Sequence, residues 1–260
     1  MKITKYQINT PKVNTSLNIA CVSDVHGRKS DAVVDALVEL SPDVILLAGD
    51  IVEVSNDFMK QRNENAMRFL ERIAGIAPIY YCFGNHEIYY SHTSKEKDRV
   101  PDKEMEIETV KKIKALGINL INDSFNKICL SNDDILVGGL VCGRDMNPAL
   151  KIKEPDLLFL SEYDKEEAFK ILLCHYPHYY ERYLKNTSFD LILAGHAHGG
   201  QWRIFGRGIY SPHQGLFPKY TSGIYDNRFI ISRGAVNNSR FFPRIFNPCE
   251  IIHIMISPEK

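Results

Sequence analysis

Residues 44–50 read Val44-Ile45-Leu46-Leu47-Ala48-Gly49-Asp50. Five apolar residues in a row are too few for a helix and show no polar alternation, so the run reads as a strand buried on both faces. Gly49 and Asp50 then place a tight turn and a carboxylate at its carboxyl end. Four other runs are built the same way. Ala20-Cys21-Val22-Ser23 leads into Asp24-Val25-His26, and Tyr80-Tyr81-Cys82-Phe83 into Gly84-Asn85-His86-Glu87. Ile171-Leu172-Leu173-Cys174 leads into His175, and Leu191-Ile192-Leu193-Ala194 into Gly195-His196-Ala197-His198-Gly199-Gly200.

Helical spacing lies between these strands. Val33, Val34, Leu37, Val38 and Leu40 mark a helix over 30–40, with Pro42 beyond its end. Residues 63–74 form another, closed by Gly75 and Pro78, and shorter helices are expected over 164–168 and 179–184. Strands alternating with helices argue for an α/β architecture with much parallel pairing. Beyond Gly199 the texture changes to short β segments punctuated by Gly and Pro, including 229–232 and 250–255. The charged stretch 91–108 around Pro101 reads as an exposed surface insertion leading into a helix striped by Ile107, Val110, Ile113 and Leu116. Nothing in it marks a boundary, so residues 1–260 are expected to form one domain.

Composition limits the function classes. Of 260 residues, 44% are apolar and 25% charged, which are globular values that exclude disorder, collagen and coiled coil. Lys plus Arg (32) equals Asp plus Glu (32), so there is no strong nucleic-acid-binding signal and any bound anion must be met locally. The six cysteines form no CxxC pair, and Cys21, Cys82 and Cys174 end apolar runs, which suits reduced core thiols in a cytoplasmic protein. No leader-like segment opens the chain and no apolar stretch is long enough for a transmembrane segment. The serine-hydrolase G-x-S-x-G elbow, the Walker pattern and H-E-x-x-H are all absent.

In an open α/β sheet the carboxyl ends of the strands form the ligand-binding rim. Five strand ends would bring Asp24, Asp50, Asn85 and the histidines His26, His86, His175, His196 and His198 towards it. A single Asp or His after a strand is ordinarily a turn former or a cap. Five successive ends carrying only these types point to a metal, and imidazole with carboxylate and amide oxygen suits Mn, Fe or Zn. One ion would use about four to six of the groups and leave the rest crowded. Two ions sharing a carboxylate would use nearly all, the arrangement that recurs in phosphate-ester hydrolysis.

Asp24-x-His26, Gly49-Asp50, Gly84-Asn85-His86-Glu87, His175 and Gly195-His196-x-His198 resemble, in order and spacing, the five motifs of the calcineurin-like metallophosphoesterase superfamily. His196-Ala197-His198-Gly199-Gly200-Gln201, Gly215-Leu216-Phe217-Pro218-Lys219-Tyr220, Ser232-Arg233-Gly234 and Asn247-Pro248 look like its bacterial YkuE-like branch. The resemblance implies a four-layer α/β/β/α sandwich of two mixed sheets. It also implies two divalent transition-metal ions, one held by Asp24, His26, Asp50 and His198, the other by Asp50, Asn85, His175 and His196. Asp50 would bridge them. His86 would face the substrate as a non-ligand, steadying the phosphoryl group or protonating the departing alkoxide. A water between two dications loses a proton near neutral pH and would serve as the nucleophile. The implied activity is hydrolysis of phosphoric esters, diesters before monoesters, with a nuclease or cyclic-nucleotide diesterase as the alternative within the class. A catalytically silent metal-binding scaffold is the alternative outside it.

Some features stand apart from these motifs. Gly27-Arg28-Lys29 replaces a Leu-Gly pair commoner in related sequences, and Arg28 is either a solvated loop cation or a phosphate contact. Glu87 is expected to support the Asn85-His86 turn. His178 reads as a surface or supporting residue, while Arg144, Asp145, Asn147 and Pro148 follow a strand-like run and border the cleft in the sharper reading. His92, His213 and His253 carry no assignment. Between His196 and Phe246, Arg203, Arg207, Lys219, Arg228, Arg233, Arg240 and Arg244 face a single acid, Asp226, among Trp202, Phe205, Phe217 and Tyr220. The bland reading is solvated arginines and packed rings on hairpins. The sharper one is a shelf for an anionic, partly apolar substrate, with peripheral contact to anionic lipid.

Overall fold

The computed structural model describes residues 1–53, 60–87, 103–128, 133–142, 154–211, 214–237 and 243–259. Cys129, His92, His213, Arg240 and the group Arg144, Asp145, Asn147 and Pro148 lie outside them.

Two six-stranded mixed sheets face each other. The first contains β1 (Lys2–Thr10), β2 (Leu17–Val22), β3 (Val44–Ala48), β4 (Ile79–Cys82), β5 (Asn119–Leu120) and β16 (Glu250–Pro258), in the order β1-β16-β2-β3-β4-β5. From β2 to β5 every pairing is parallel, with Cys21 opposite Leu46 and Leu46 opposite Tyr80. β16 runs antiparallel to β2 and parallel to β1. The second sheet contains β6 (Ser124–Ile128), β7 (Ile135–Leu140), β8 (Phe169–Cys174), β9 (Leu191–Ala194), β14 (Gly223–Tyr225) and β15 (Phe229–Ile231), ordered β14-β15-β9-β8-β7-β6. Its centre, β7-β8-β9-β15, is parallel and its two edges are antiparallel. Two short hairpins, β10 (Arg203–Ile204) with β11 (Arg207–Gly208) and β12 (Tyr210–Ser211) with β13 (Gly215–Leu216), follow β9.

The continuous apolar runs explain the layering, because successive side chains of a strand point to opposite faces. In β3, Leu46 and Ala48 join Val137, Ile171, Leu173 and Leu193 in the core between the sheets. Ile45 and Leu47 pack outward against α1 (Asp31–Leu40), α2 (Lys60–Ala74) and α3 (Lys103–Ala115), through Leu37, Leu70 and Ile113. On the other side, Leu172 and Ile192 pack outward against Phe159, Leu160 and Tyr163 of α4 (Leu157–Asp164). The result is an α/β/β/α sandwich. Truncating a buried residue such as Leu46 to Ala should cost about 2–5 kcal/mol.

Three elements differ from the sequence expectation. The helix expected at 164–168 lies earlier, at Leu157–Asp164, because the Asp156 side chain accepts the Phe159 N–H at 2.9 Å and caps it there. Residues 165–166 close it in a turn. The helix expected at 179–184 is a 3₁₀ turn, Pro177–Tyr179, running into a single π turn, Tyr180–Leu184, closed by Lys185 N–H on Tyr180 O at 2.8 Å. β1 is an added strand whose polar–apolar alternation reflects its place at the sheet edge. Among the described residues no helix is long and apolar enough to cross a membrane. All five described cysteines are free thiols.

Candidate metal centre

The five motif loops leave the carboxyl ends of β2, β3 and β4 in one sheet and β8 and β9 in the other. The rim is therefore shared by the two facing sheets, at one end of the core between them. Asp24 N–H donates to Gly49 O at 3.0 Å and His26 N–H to Asp50 O at 2.9 Å, tying the first two loops together. The His196 amide donates to Asp24 Oδ1 at 3.1 Å, and the His86 amide to Asp50 Oδ1 at 3.0 Å. Each carboxylate is thus oriented by a loop from another strand.

Asp24 (φ 56°), His26 (50°), Asp50 (56°), His196 (65°) and His198 (46°) all occupy the left-handed region. Non-glycine residues pay roughly 1–2 kcal/mol there, and such strain gathers at functional sites. Gly84 and Gly195 show how close the loops come. A Cβ on Gly84 would lie 2.3 Å from Asp50 Oδ1, and one on Gly195 would lie 2.6 Å from Asp24 Oδ2.

Seven residues expected as ligands converge. Asp24, His26 and His198 offer ligand atoms within 4.8 Å of one another, and so do Asp50, His175 and His196. His175 Nε2 is 2.9 Å from Asp50 Oδ2 and 3.9 Å from Asp24 Oδ1, which joins the two groups. His26 Nε2 is 3.9 Å from both Asp24 Oδ1 and Asp50 Oδ2, and 3.2 Å from His198 Nε2. Asn85 is buried beside them on the turn after β4. His86 keeps 26% of its side chain exposed, with Nε2 3.9 Å from Asp50 Oδ2, and His198 keeps 20% exposed. These are the two rings of the site that a molecule arriving from solvent meets.

The hydrogen bonds set the tautomers. His175 Nδ1 faces Ala48 O at 2.7 Å, and a carbonyl only accepts, so Nδ1 carries the hydrogen. The buried Nε2 then aims at Asp50 Oδ2, 2.9 Å away. A lone pair facing a carboxylate calls for a positive charge between them, either a proton or a metal ion. The donor set therefore fits a divalent transition metal, all nitrogen and oxygen with the thiols elsewhere. His198 differs, since Arg244 Nη2 lies 3.1 Å from its Nδ1 and guanidinium only donates. Ligation through His198 Nε2 would place the ring hydrogen on Nδ1 and displace that arginine contact.

Electrostatics of these side chains follow from this crowding. Burial opposes ionisation of Asp50, yet His175, His86 and His26 together hold its carboxyl well below the usual range. Burial would also lower His175 and His86, but the Asp50 charge outweighs it and pushes them up to about 9 and about 10. His198 goes the other way, down to about 3, chiefly through burial, with His26 and Arg244 adding positive charge.

Two residues stand behind this shell: Glu53, which the sequence did not single out, and Asn247, part of the branch resemblance but given no role there. Glu53, three residues after Asp50, reaches His26 Nδ1 at 2.8 Å through Oε1 and His86 Nδ1 at 3.3 Å through Oε2. Arg62 from α2 adds an ion pair at 3.0 Å. Burial works against the Glu53 charge, but the two histidines hold its carboxyl far below the ordinary value. It forms a third group of possible ligands with His26 and His86. The second residue is Asn247, whose amide donates to His198 O at 2.7 Å. Glu87 supports the turns as expected. Its Oε2 accepts from Asp50 N (3.0 Å) and Gly84 N (2.7 Å), and its Oε1 from Ile51 N, Val52 N and Tyr81 Oη. Arg28 is half-buried in the loop after His26, and the His178 ring lies 6.1 Å from that of His196.

The basic residues beyond His196 divide by role. Arg228 holds the carbonyls of Thr187, Phe189 and Lys185, Arg233 pairs with Glu250, and Lys219 pairs with Glu181. Arg244 binds Val236 O as well as His198. Tyr220 is buried.

Residues 17–200 match the family model for calcineurin-like phosphoesterase. An uncharacterized metallophosphoesterase of Campylobacter jejuni is 24% identical over 271 residues, covering 100% of this chain and 64% of the relative. One from Helicobacter pylori is 25% identical, covering 99% and 64%. Phosphodiesterase YaeI of Escherichia coli is 28% identical over 173 residues, covering 64% and 53%. The chain thus spans less than two thirds of the length of these relatives.

Proposed function

Because the chain belongs to the calcineurin-like phosphoesterase family, we propose that it hydrolyses phosphoric esters, phosphodiesters first, at a centre of two divalent transition-metal ions. The observation that carries this reading is the pair of adjoining donor groups, Asp24/His26/His198 and Asp50/His175/His196, with Asp50 Oδ2 facing histidines of both. One ion would be held by Asp24, His26, Asp50 and His198, the other by Asp50, Asn85, His175 and His196. When bound, Mn, Fe or Zn ions would supply positive charge to the phosphoryl oxygens and acidify the attacking water.

The chain's own groups do the rest. Ala48 O and Glu53 hold the Nδ1 hydrogens of His175 and His26, which keeps each Nε2 turned to the centre. His86, exposed on one side and held by Glu53 on the other, is placed to donate a proton to the departing alkoxide. Preference for diesters rests on the likeness to a relative named a phosphodiesterase and on the resemblance to the YkuE-like branch. Metal analysis with turnover of bis-p-nitrophenyl phosphate and p-nitrophenyl phosphate tests the proposal. Two ions per chain and metal-dependent release, faster from the diester, are expected. Two ions without turnover would favour a binding scaffold, and failure to bind metal would overturn the reading.

A further inference from the structure

Large apolar side chains are exposed unevenly over this protein. Of the fourteen among the described residues, nine lie between Trp202 and Phe246, so they belong to one region rather than to scattered positions. Three of them, Phe205, Phe217 and Phe246, are exposed to 102%, 74% and 85%, and each has positive φ, at 48°, 51° and 52°. Turn positions of that kind ordinarily hold Gly or Asn. Here three separate turns each spend one on a phenylalanine that packs against little of the protein.

The turns adjoin. Phe205 and Gly206 form the two-residue tip between β10 and β11. Ile245 bridges Trp202 in parallel and accepts the Arg203 N–H at 3.0 Å, so Phe246 runs alongside β10 towards that tip. The Phe217 N–H donates to Ile209 O at 2.8 Å. Phe217 also lines a hollow of about 460 Å³ with Arg203, Arg207, Lys219 and Tyr225.

The charge of this face is one-sided. Residues 191–249 contain a single acid, Asp226, which accepts a hydrogen bond from Tyr180 at 2.7 Å. Arg203 is satisfied by the neutral acceptors Gly199 O, Gly206 O and Thr221 Oγ1, so its charge is not cancelled. Arg207 is exposed, and neither arginine has an ion pair among the described residues.

We infer that this face docks the protein on an anionic lipid bilayer, with Phe205, Phe217 and Phe246 entering the acyl boundary and Arg203 and Arg207 facing lipid phosphates. A protein partner would have to offer a matched concave pocket to each projecting ring. A bilayer accepts convex rings without such matching, and its negative surface complements the hollow. Arg203 also binds Gly199 O, next to His198, so the docked face borders the metal centre. The inference stands on the surface alone and not on the proposed catalysis.

Trp202 is the sole tryptophan and lies on the face, so its emission reports docking directly. The full chain is titrated with phosphatidylglycerol vesicles and with phosphatidylcholine vesicles, and sedimented with each. A blue shift and co-sedimentation are expected with the anionic vesicles alone, weakening as salt rises. Arg207→Glu should lower partitioning by about 25-fold, and each Phe→Ser change by on the order of tenfold. The triple variant Phe205→Ser, Phe217→Ser, Phe246→Ser should not bind while keeping the wild-type circular dichroism. If it fails to fold, Phe205→Ser alone gives the same readout. No binding to anionic vesicles, binding equal in these variants, or a wild-type dimer that the triple variant dissociates would each overturn the inference.

Discussion

Replacing Glu87 by Gln should destabilise the protein out of proportion to so small a change. Glu87 is fully buried, and its two oxygens accept from four backbone amides and one hydroxyl. Burial and the neighbouring Asp50 charge push its carboxyl up from the ordinary value, while the converging donors support the charged form. A glutamine retains one acceptor oxygen. Its least damaging orientation keeps the three donors at Oε1 and turns the amide NH₂ towards the amides of Asp50 and Gly84. Two buried donors lose their partner at about 1–3 kcal/mol each, so about 4 kcal/mol is expected. In a chain of this size that lowers Tm by about 8–16 °C. Calorimetry of the metal-free protein measures it, with Glu39→Gln on the exposed face of α1 as control. The amides involved position Asp50 and the turn before Asn85, so metal affinity should fall with stability. A loss in Tm below about 3 °C would show that the carboxylate does not hold the two loops, and the reasoning would fail.

Further outcomes follow from the site. Asp50→Asn should abolish metal-dependent turnover of bis-p-nitrophenyl phosphate, and His196→Ala should do the same. His86→Ala should keep the metal content and lower the rate, least for esters with good leaving groups; loss of metal would refute its non-ligand role. Glu53→Gln should reproduce part of the His86→Ala rate loss and also weaken metal binding through His26, read by separate titration and kinetics. In the metal-free protein, His175 and His86 titrate at about 9 and about 10, above the unfolded imidazole value. Their contribution to stability is then complete below about pH 6.5 and lost as pH rises through those values, which denaturant titrations from pH 6 to 10 would measure. Metal bound through His175 displaces that ring's proton, so its stabilising effect should be larger at pH 8.5 than at pH 6.

Much of the centre was legible because its residues sit where strands stop. A run such as Val44–Ala48 declares itself by unbroken apolarity, and the residue after its turn must lie at the rim. The four-layer arrangement followed only from the family resemblance, since a strand buried on both faces looks the same under a helix or under a second sheet. Glu53 was obscured for a related reason. It follows a motif by three residues in an irregular loop, where no periodicity says which way a side chain points. Asn247 and Arg244 reach the His198 loop from nearly fifty residues away. Their contacts depend on how the last hairpins fold back. The displaced helix at Leu157–Asp164 was signalled by Asp156, whose capping role is visible in sequence once a helix is looked for behind it.

The place of β16 has a consequence for how the molecule is made. Residues 250–258 are inserted between β1 and β2, pairing with both. A nascent chain leaving the ribosome therefore carries β1 with its lateral partner still unsynthesised, long after β2, β3 and β4 can assemble. Vectorial folding can build the parallel heart of that layer early, yet its hem stays open until β16 has been made and slides in. Chaperone engagement and cleavage during synthesis should concentrate on this unzipped β1 ribbon.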